Sequence, residues 1–244
     1  MKQRFFLALA LSGTLFVAAQ KADSTKQHEY LSLYRRALGY NDLGSAAYAV
    51  GAYLHHGGEA NFNDTLALIY YNMNNLGGAF KLAGEINEKD PKNITALTLL
   101  ADISGRAGEV KKSLEWYEKL IVLSPTPYNH YQLATKQFML ERLMECKESL
   151  QKVISDSAQS KEQMVRLDLG EGYAEEVPVL AAAMNMLGAI AYKEKNNTLA
   201  ASWYTKALEV FPKFVIAKQN LDELNKPAAP AKQGAAAKPP VKKS

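Results

Sequence analysis

Few residues in this 244-residue chain have the types and spacing that catalysis or metal binding requires. The four histidines are His28, His55, His56 and His130, and none shares a predicted helix face with a second His or a carboxylate four residues away. That spacing is the one by which a helix holds a zinc ion. Two glycines follow the adjacent pair His55 and His56, which predicts a helix end where imidazolium groups interact with unpaired carbonyls. We therefore expect no metal site.

Nucleophilic and phosphate-binding motifs are missing as well. The single cysteine, Cys146, cannot form an intramolecular disulfide or a Cys-based zinc site. No Ser, Cys and His residues form a known nucleophile motif, and the Gly-Glu-Gly triplet at 170–172 lacks the rest of any phosphate-binding pattern. These absences favour a protein that is not an enzyme and that uses no cofactor.

The composition is that of a folded protein with an uneven charge distribution. With 48% apolar and 22% charged residues, the chain can bury a core, which excludes a disordered or fibrous protein. Its 29 basic and 25 acidic residues give a net charge of +4. The two ends of the chain contain seven of the basic residues and no acidic ones, so the body between them is slightly acidic. No predicted helix has a basic face, which, together with the export expected below, argues against a nucleic-acid partner.

The first nineteen residues have the pattern of a secretory signal peptide. Lys2 and Arg4 precede an apolar run from 5 to 17, and two small residues follow it, ending at Ala19. The run is shorter than the ~20 residues that a membrane-spanning helix needs. We therefore expect export, cleavage after Ala19 and a short linker at 20–26. The mature protein would be periplasmic, envelope-associated or secreted, and not an integral membrane protein.

The C-terminal segment, residues 226–244, consists mainly of Lys, Ala and Pro and has no acidic or aromatic residue. Such a segment cannot bury enough apolar surface to offset its ordering entropy, so we expect a disordered tail. Its five lysines could attach the protein to an anionic envelope surface. The other interpretation is a solvated spacer, because blocks of like charge are usually just hydrated.

The body of the chain is helical and repetitive. Apolar residues recur at three- and four-residue spacing, and small residues in similar contexts fall at Ala46, Ala79, Ser113, Cys146 and Ala200. Their spacings are 33, 34, 33 and 54, the last being one repeat plus an insertion of 20 residues. The repeats lie near 27–60, 60–93, 94–127, 127–160 and 181–214.

The residues at fixed places identify the kind of repeat. In the last repeat Leu187 and Gly188 stand at places seven and eight, Ala200 at twenty, Tyr204 at twenty-four and Pro212 at thirty-two. The pattern resembles the tetratricopeptide repeat family. The resemblance implies an all-α fold, a right-handed α-solenoid of about five helix-turn-helix repeats with a concave groove. Small residues at places eight and twenty let paired helices approach closely, and the aromatic residue fills the gap to the next pair.

Two further segments accompany the repeats. Residues 214–225 are predicted to form an amphipathic helix that caps the open end of the stack within the repeat domain 27–225. The insertion at 161–180 is the least repetitive part. Its end, AEEVP, indicates the start of the next helix with acidic residues in the first turn, and the remainder is predicted to be a loop or a helix extension. A contact role and a neutral insertion both remain open for it.

The resemblance also implies where a partner binds. In the family, the first helix of each repeat lines the groove. The implied partner-binding residues are His28, Arg35, Asp64, Tyr71, Asn72, Asp102, Arg106, Tyr128, Tyr131, Phe138, Asn185, Tyr192 and Lys193. Tyr, Arg and Asn suit an extended peptide or a partner helix, although several of these side chains could simply pack between hairpins.

The expected function is a non-enzymatic scaffold that binds a protein or peptide partner. The clamp by which some family members hold chaperone tails needs Lys and Asn at places five and nine of the first repeat. Leu31 and Arg35 stand there, so binding of chaperone tails is not expected. The alternative function is a cell-envelope attachment protein that binds polysaccharide or wall polymer through its basic tail.

Overall fold

A computed structural model describes residues 23–170 and 172–226 of the chain. The expected signal peptide at 1–19, residues 20–22 of the expected linker and the tail beyond Lys226 lie outside these residues. Residues 23–26, which we expected in the linker, belong to the first helix. The chain divides into two compact units, the first ending at Ser155 and the second beginning at Asp156. Within the described residues, no helix combines the length and the apolar character needed to cross a membrane.

The first unit consists of consecutive helices that pack in pairs. The first and second helices of each pair are joined by short turns, and each pair packs against the next. The helices are α1 (residues 23–39), α2 (Leu43–His55), α3 (Phe62–Asn72), α4 (Leu76–Lys89), α5 (Ile94–Arg106), α6 (Val110–Leu123), α7 (Pro127–Met139) and α8 (Leu143–Ser155).

The second unit contains one more helix pair, a short β-hairpin and a final helix. Leu221 and Leu224 of the final helix pack against Ala191, Ala200 and Tyr204 of the pair, as expected for a capping helix. Its elements are α9 (Ser157–Glu162), β1 (Met164–Gly170), β2 (Tyr173–Pro178), α10 (Val179–Lys193), α11 (Asn197–Val210) and α12 (Val215–Leu224).

Helix starts and the turns within the pairs follow directly from residue type. At the N-caps of α2, α4, α5, α7 and α11, a side-chain oxygen of Asp, Asn or Thr accepts a hydrogen bond from a backbone N–H three residues on. A residue with positive φ stands in the turn of each helix pair, a conformation that Gly and Asn adopt most readily. These turn residues are Asn41, Asn74, Gly108, Glu141 and Lys195, and they recur at the spacing of the small residues.

The small residues of the repeat lie at the closest contacts between paired helices. Ala46, Ala79, Ser113, Cys146 and Ala200 are all completely buried. The Ser113 hydroxyl donates to the carbonyl oxygen of place eight in its own repeat at 2.7 Å, and the Cys146 thiol does the same at 3.2 Å. Burial raises the pKa of the Cys146 thiol to about 12, so the thiol is protonated at neutral pH.

The insertion contains a β-hairpin, and our expectation of a loop or helix extension there was wrong. Strands β1 and β2 are antiparallel, with the buried residues Val165 and Val177 opposite each other. β1 alternates apolar and polar side chains, the period of a strand, and Gly170 and Gly172 supply positive φ angles at the turn. The AEEVP segment is the second strand rather than the first turn of a helix, and the next helix begins only at Val179.

Glu175, predicted to lie in the first turn of its own helix, acts at a different one. Both of its carboxylate oxygens accept the backbone N–H of Val215, the first residue of α12, at 3.2 Å. A carboxylate at that position interacts favourably with the positive end of the helix dipole. The hairpin therefore fixes the start of the capping helix within the second unit.

Candidate functional site

Three of the predicted partner-binding residues meet where α3 and α5 pack together in the first unit. The Tyr71 hydroxyl of α3 donates a hydrogen bond to the Asp102 carboxylate of α5. Arg106, one helical turn after Asp102, places its guanidinium carbon 5.5 Å from the centre of the Tyr71 ring. Its Nη2 also donates to Asn74 Oδ1 at 3.1 Å. Tyr71, Asp102 and Arg106 thus hold one another in fixed positions.

Two residues of the following helix, α7, extend this group. The negative charge of Asp102 helps to raise the pKa of Tyr128, although burial is the main cause. The same charge acts on Lys136, whose pKa burial lowers. We call Tyr71, Asp102, Arg106, Tyr128 and Lys136 the Asp102 cluster. Because its members come from α3, α5 and α7, it runs across the first helices of three successive repeats.

Lys136 is the member that the sequence did not predict. A Cβ atom added at Gly105 would lie only 3.0 Å from Lys136 Nζ, so the half-buried ammonium group rests on the backbone of α5. No carboxylate oxygen of the described residues lies within the 4.0 Å of an ion pair with it. No sequence signal could have found this contact, because the two residues belong to different repeats and neither occupies a signature place.

Beneath the cluster lies the buried phenol of Tyr117 from α6. Burial is the main cause that raises its pKa, and the charge of Asp102 adds to it. Burial likewise raises the pKa of Tyr131. These phenols are therefore protonated at neutral pH, and Asp102 supplies the negative charge of the cluster.

The raised tyrosine pKa values predict a loss of stability at alkaline pH. Each of these tyrosines binds its proton more tightly in the folded protein than in the unfolded chain, where the pKa is ~10. The resulting stabilisation is fully present below pH ~10 and is lost as the pH rises towards the pKa of the folded state. We expect the free energy of unfolding to fall above this pH, and to fall less steeply for Tyr117→Phe. Urea unfolding at neutral and alkaline pH measures both. Equal pH dependence in the variant and the parent protein would contradict the prediction.

Asp64 lies at a junction between repeats. Asn93 donates from its side-chain nitrogen to both carboxylate oxygens of Asp64, at 3.2 and 3.0 Å. The side-chain oxygen of Asn93 accepts the N–H of Ala96 at 2.8 Å and so caps α5. Asp64 therefore orients the residue that starts the helix carrying Asp102.

The other predicted residues lie in different environments. In the first unit, His28, Arg35 and Asn72 are exposed and Phe138 is half-buried. Tyr131 is only 5% exposed, so its ring packs in the interior.

In the second unit, Asn185 on α10 accepts a hydrogen bond from Asn220 on α12 at 3.0 Å, while Tyr192 and Lys193 are exposed. Asn185 therefore links a repeat helix to the capping helix. Tyr192 is 53% exposed and remains accessible at the surface of that unit.

An apolar recess adjoins the Asp102 cluster. It has a volume of about 380 Å³, and its lining includes Leu76 and Phe80 of α4 and Ile103 and Arg106 of α5. Arg106 borders both the recess and the Tyr71 ring. Leu76 and Phe80 were not predicted from the sequence, because both belong to the second helix of a repeat.

The histidine pair lies where the sequence predicted it. Helix α2 ends at His55, and the backbone N–H of His56 caps it. His56 Nδ1 is 3.3 Å from an Asp23 carboxylate oxygen, and its ring stacks on Tyr30 at a centroid distance of 5.6 Å. Among the described residues, no group of three or more His, Cys, Asp or Glu side chains is placed to hold a metal ion.

In each helix pair of this chain, a buried small residue and a turn residue with positive φ stand at the same places. These features define an α-helical repeat protein. No family model and no curated protein matches this chain. Solved structures do. The structure of MamA from residue 41 to its end, from Desulfovibrio magneticus RS-1, has a TM-score of 0.62 and 15% identity, over 78% of this chain and 97% of that solved chain.

Two further solved structures are tetratricopeptide repeat proteins. One, from Parabacteroides merdae ATCC 43184, has a TM-score of 0.63 and 16% identity, over 82% of this chain and 72% of its own. The other is YrrB, described as having an unusual peptide-binding site, with a TM-score of 0.60 and 14% identity, over 78% of this chain and 89% of its own. The chain therefore has the tetratricopeptide-type fold, which confirms the fold predicted from the sequence, with the β-hairpin as an addition.

Proposed function

We propose that this protein is a non-enzymatic scaffold that binds a segment of a partner protein across α3, α5 and α7. The observation that carries the proposal is the Asp102 cluster. Its side chains come from the first helices of three successive repeats. Contacts among Tyr71, Asp102 and Arg106 hold these three in place before a partner arrives, and Tyr128 and Lys136 lie close enough to feel the charge of Asp102. Such preorganisation lowers the entropy lost on binding.

The chemistry of this surface suits an extended segment with a bulky apolar residue. Tyr71, Arg106 and Tyr128 are of the residue types that most often dominate the energy of protein interfaces. The recess beside Arg106 is large enough for an aliphatic or aromatic side chain. The ammonium group of Lys136 and the carboxylate of Asp102 supply polar groups that can fix the orientation of the segment.

The comparisons support this proposal at the level of the fold. YrrB shares the fold and is described as having a peptide-binding site. A shared fold does not by itself imply a shared function, so the Asp102 cluster is the main support for the proposal.

The proposed location is the bacterial periplasm or cell envelope, and it rests on the composition of residues 1–19. The alternative function, attachment to an envelope polymer, rests on the five lysines of the tail. Deleting residues 227–244 separates the two functions. If the scaffold proposal is correct, partner binding survives the deletion. If wall binding is lost while partner binding is unchanged, the tail has a separate role in attachment.

Site-specific photo-crosslinking in the native cell tests where the partner binds. A photoreactive amino acid at Tyr128, in the cluster, is expected to give a protein adduct. The same amino acid at Val122, which is 78% exposed on α6, serves as the control. Adducts at Val122 and none at Tyr128 would contradict the proposal.

The affinity for the captured partner provides the quantitative test. We expect Arg106→Ala with Tyr128→Ala to weaken binding by at least about thirtyfold, because central Arg and Tyr residues each contribute roughly 1–2 kcal/mol in interfaces. The matched control is Lys111→Ala with Val122→Ala, which removes one cation and one large apolar side chain from exposed positions on α6. Calorimetric titration measures both, and equal weakening by the two pairs would overturn the proposed site.

A further inference from the structure

One edge of strand β1 has no strand beside it. Among the described residues the sheet has only two strands, in the order β1-β2, so each strand is hydrogen-bonded to a neighbour on one side only. An unpaired strand edge is a template for another strand, and natural proteins usually protect it with Pro, Lys or a very short strand. β1 has neither Pro nor Lys, and its pairing with β2 is regular from Met164 to Asp168, with an irregularity only between Asp168 and Gly170.

The sequence of β1 is complementary to itself when two copies run antiparallel. If Leu167 of one copy lies opposite Leu167 of the other, Arg166 of each copy faces Asp168 of its partner copy. On the other face of the strand, Val165 lies opposite Leu169. Arg166 and Asp168 are both exposed, and Leu169 is 37% exposed. This register would place two opposite-charge pairs and the contact between the two Leu167 side chains in the regularly paired part of the strand, Met164–Asp168, with Leu169 at the irregularity.

Strand β2 does not have this property. It carries the adjacent acidic residues Glu175 and Glu176 and ends at Pro178, which has no N–H to donate. Glu175 is already engaged with the start of α12. Arg166 lies opposite Glu176 within the hairpin, so pairing through β1 would place a carboxylate on both sides of the Arg166 guanidinium.

We propose that two copies of this chain associate through β1 to form a continuous antiparallel sheet of strand order β2-β1-β1-β2. The two-fold axis passes between the two Leu167 residues. Such an interface is isologous, because each copy contributes the same strand and the two charge pairs are equivalent by symmetry. The proposal uses only residues of the second unit and is independent of the partner-binding function proposed above.

Charge reversal with complementary variants tests the pairing. Asp168→Arg alone places Arg opposite Arg, and Arg166→Asp with Glu176→Arg places Asp opposite Asp while preserving the charge pair inside the hairpin. Each variant alone is expected to dimerise about tenfold or more weakly than the parent chain, because two attractive pairs become repulsive. Mixed in equal amounts, the two variants are expected to form a heterodimer, since both charge pairs are then restored.

Sedimentation velocity of the full chain over a range of concentrations measures these equilibria. Glu209→Arg reverses an exposed charge on α11 and is expected to leave dimerisation unchanged. Recovery in the mixture excludes misfolding as the reason for weak association of the single variants. A parent chain that stays monomeric at all concentrations, or a mixture without heterodimer, would overturn the proposal.

Cysteine crosslinking tests the register separately. Leu167→Cys places the two thiols directly opposite each other, within reach of a disulfide or a short bifunctional reagent. Met164→Cys is the control, because the two thiols would be six residues apart along the strands, about 20 Å at ~3.4 Å per residue. The native Cys146 is buried and does not compete. Efficient crosslinking of Met164→Cys but not of Leu167→Cys, or binding of an unrelated extended segment in place of the second copy, would contradict the proposal.

Discussion

Replacing Phe214 by Ala is expected to lower the free energy of unfolding by about 4 kcal/mol, the range measured for removing a buried aromatic ring. Phe214 is completely buried, stands in the connection from α11 to α12 and packs edge-on against Phe211 with ring centres 6.5 Å apart. Losing the ring leaves a cavity where the capping helix begins. The capping helix also covers Tyr204 and Ala200, so its loosening exposes the last repeat.

Chemical denaturation monitored by circular dichroism measures this effect. The control is Val215→Ala, which removes apolar atoms from the adjacent residue, 40% exposed, and is expected to cost well under half as much. Equal losses for the two variants would show that burial at Phe214 does not anchor the capping helix.

Gly188→Ala is the second substitution with a large expected effect. An added Cβ would lie 2.4 and 2.5 Å from two ring carbons of Tyr204, which is 3% exposed and cannot move away freely. Overpacking of this kind costs roughly 1–3 kcal/mol, against a gain of ~1 kcal/mol from the better helix propensity of Ala. Because the ring is buried and the added Cβ would meet it closely, the cost lies at the upper end of this range, so we expect a net destabilisation of about 2 kcal/mol.

The same substitution has the opposite expected sign at Gly84. This residue lies within α4, and an added Cβ there would meet no atom within 4 Å. Gly84→Ala is therefore expected to stabilise the protein by up to ~1 kcal/mol. Thermal unfolding of both variants measures the difference in sign.

A double substitution identifies the cause at Gly188. In a Tyr204→Ala background, the ring that meets the new Cβ is gone, so Gly188→Ala is expected to cost little or to stabilise. An unchanged cost in that background would mean that contact with Tyr204 is not the reason for the glycine.

The fold could be predicted from the sequence because its determinants are local and periodic. A small residue at place twenty, such as Ser113 or Cys146, and a turn residue five places earlier recur in every repeat. Within the first unit each helix pair packs against the next along the chain, so a pattern of about 34 residues contains most of the information that this packing needs.

The hairpin shows where local reasoning failed. The sequence EEVP is compatible with a helix start, and nothing nearby in the chain excludes it. The alternation in β1 and the two glycines at 170 and 172 were the available signals. What decides the outcome is the pairing of Val165 with Val177 and the contact of Glu175 with Val215, forty residues away.

The candidate site also has a part that the sequence predicted and a part that only the tertiary structure shows. The sequence pattern selected Tyr71, Asp102, Arg106 and Tyr128 because they occupy the first helices of their repeats, and that choice depends only on register. Only the tertiary structure brings Lys136 onto the backbone at Gly105, places Asp102 between α3 and α7, and buries the ring of Tyr131. Such contacts join residues about thirty positions apart, and their formation depends on how successive repeats pack, which a periodic pattern of small and apolar residues does not specify.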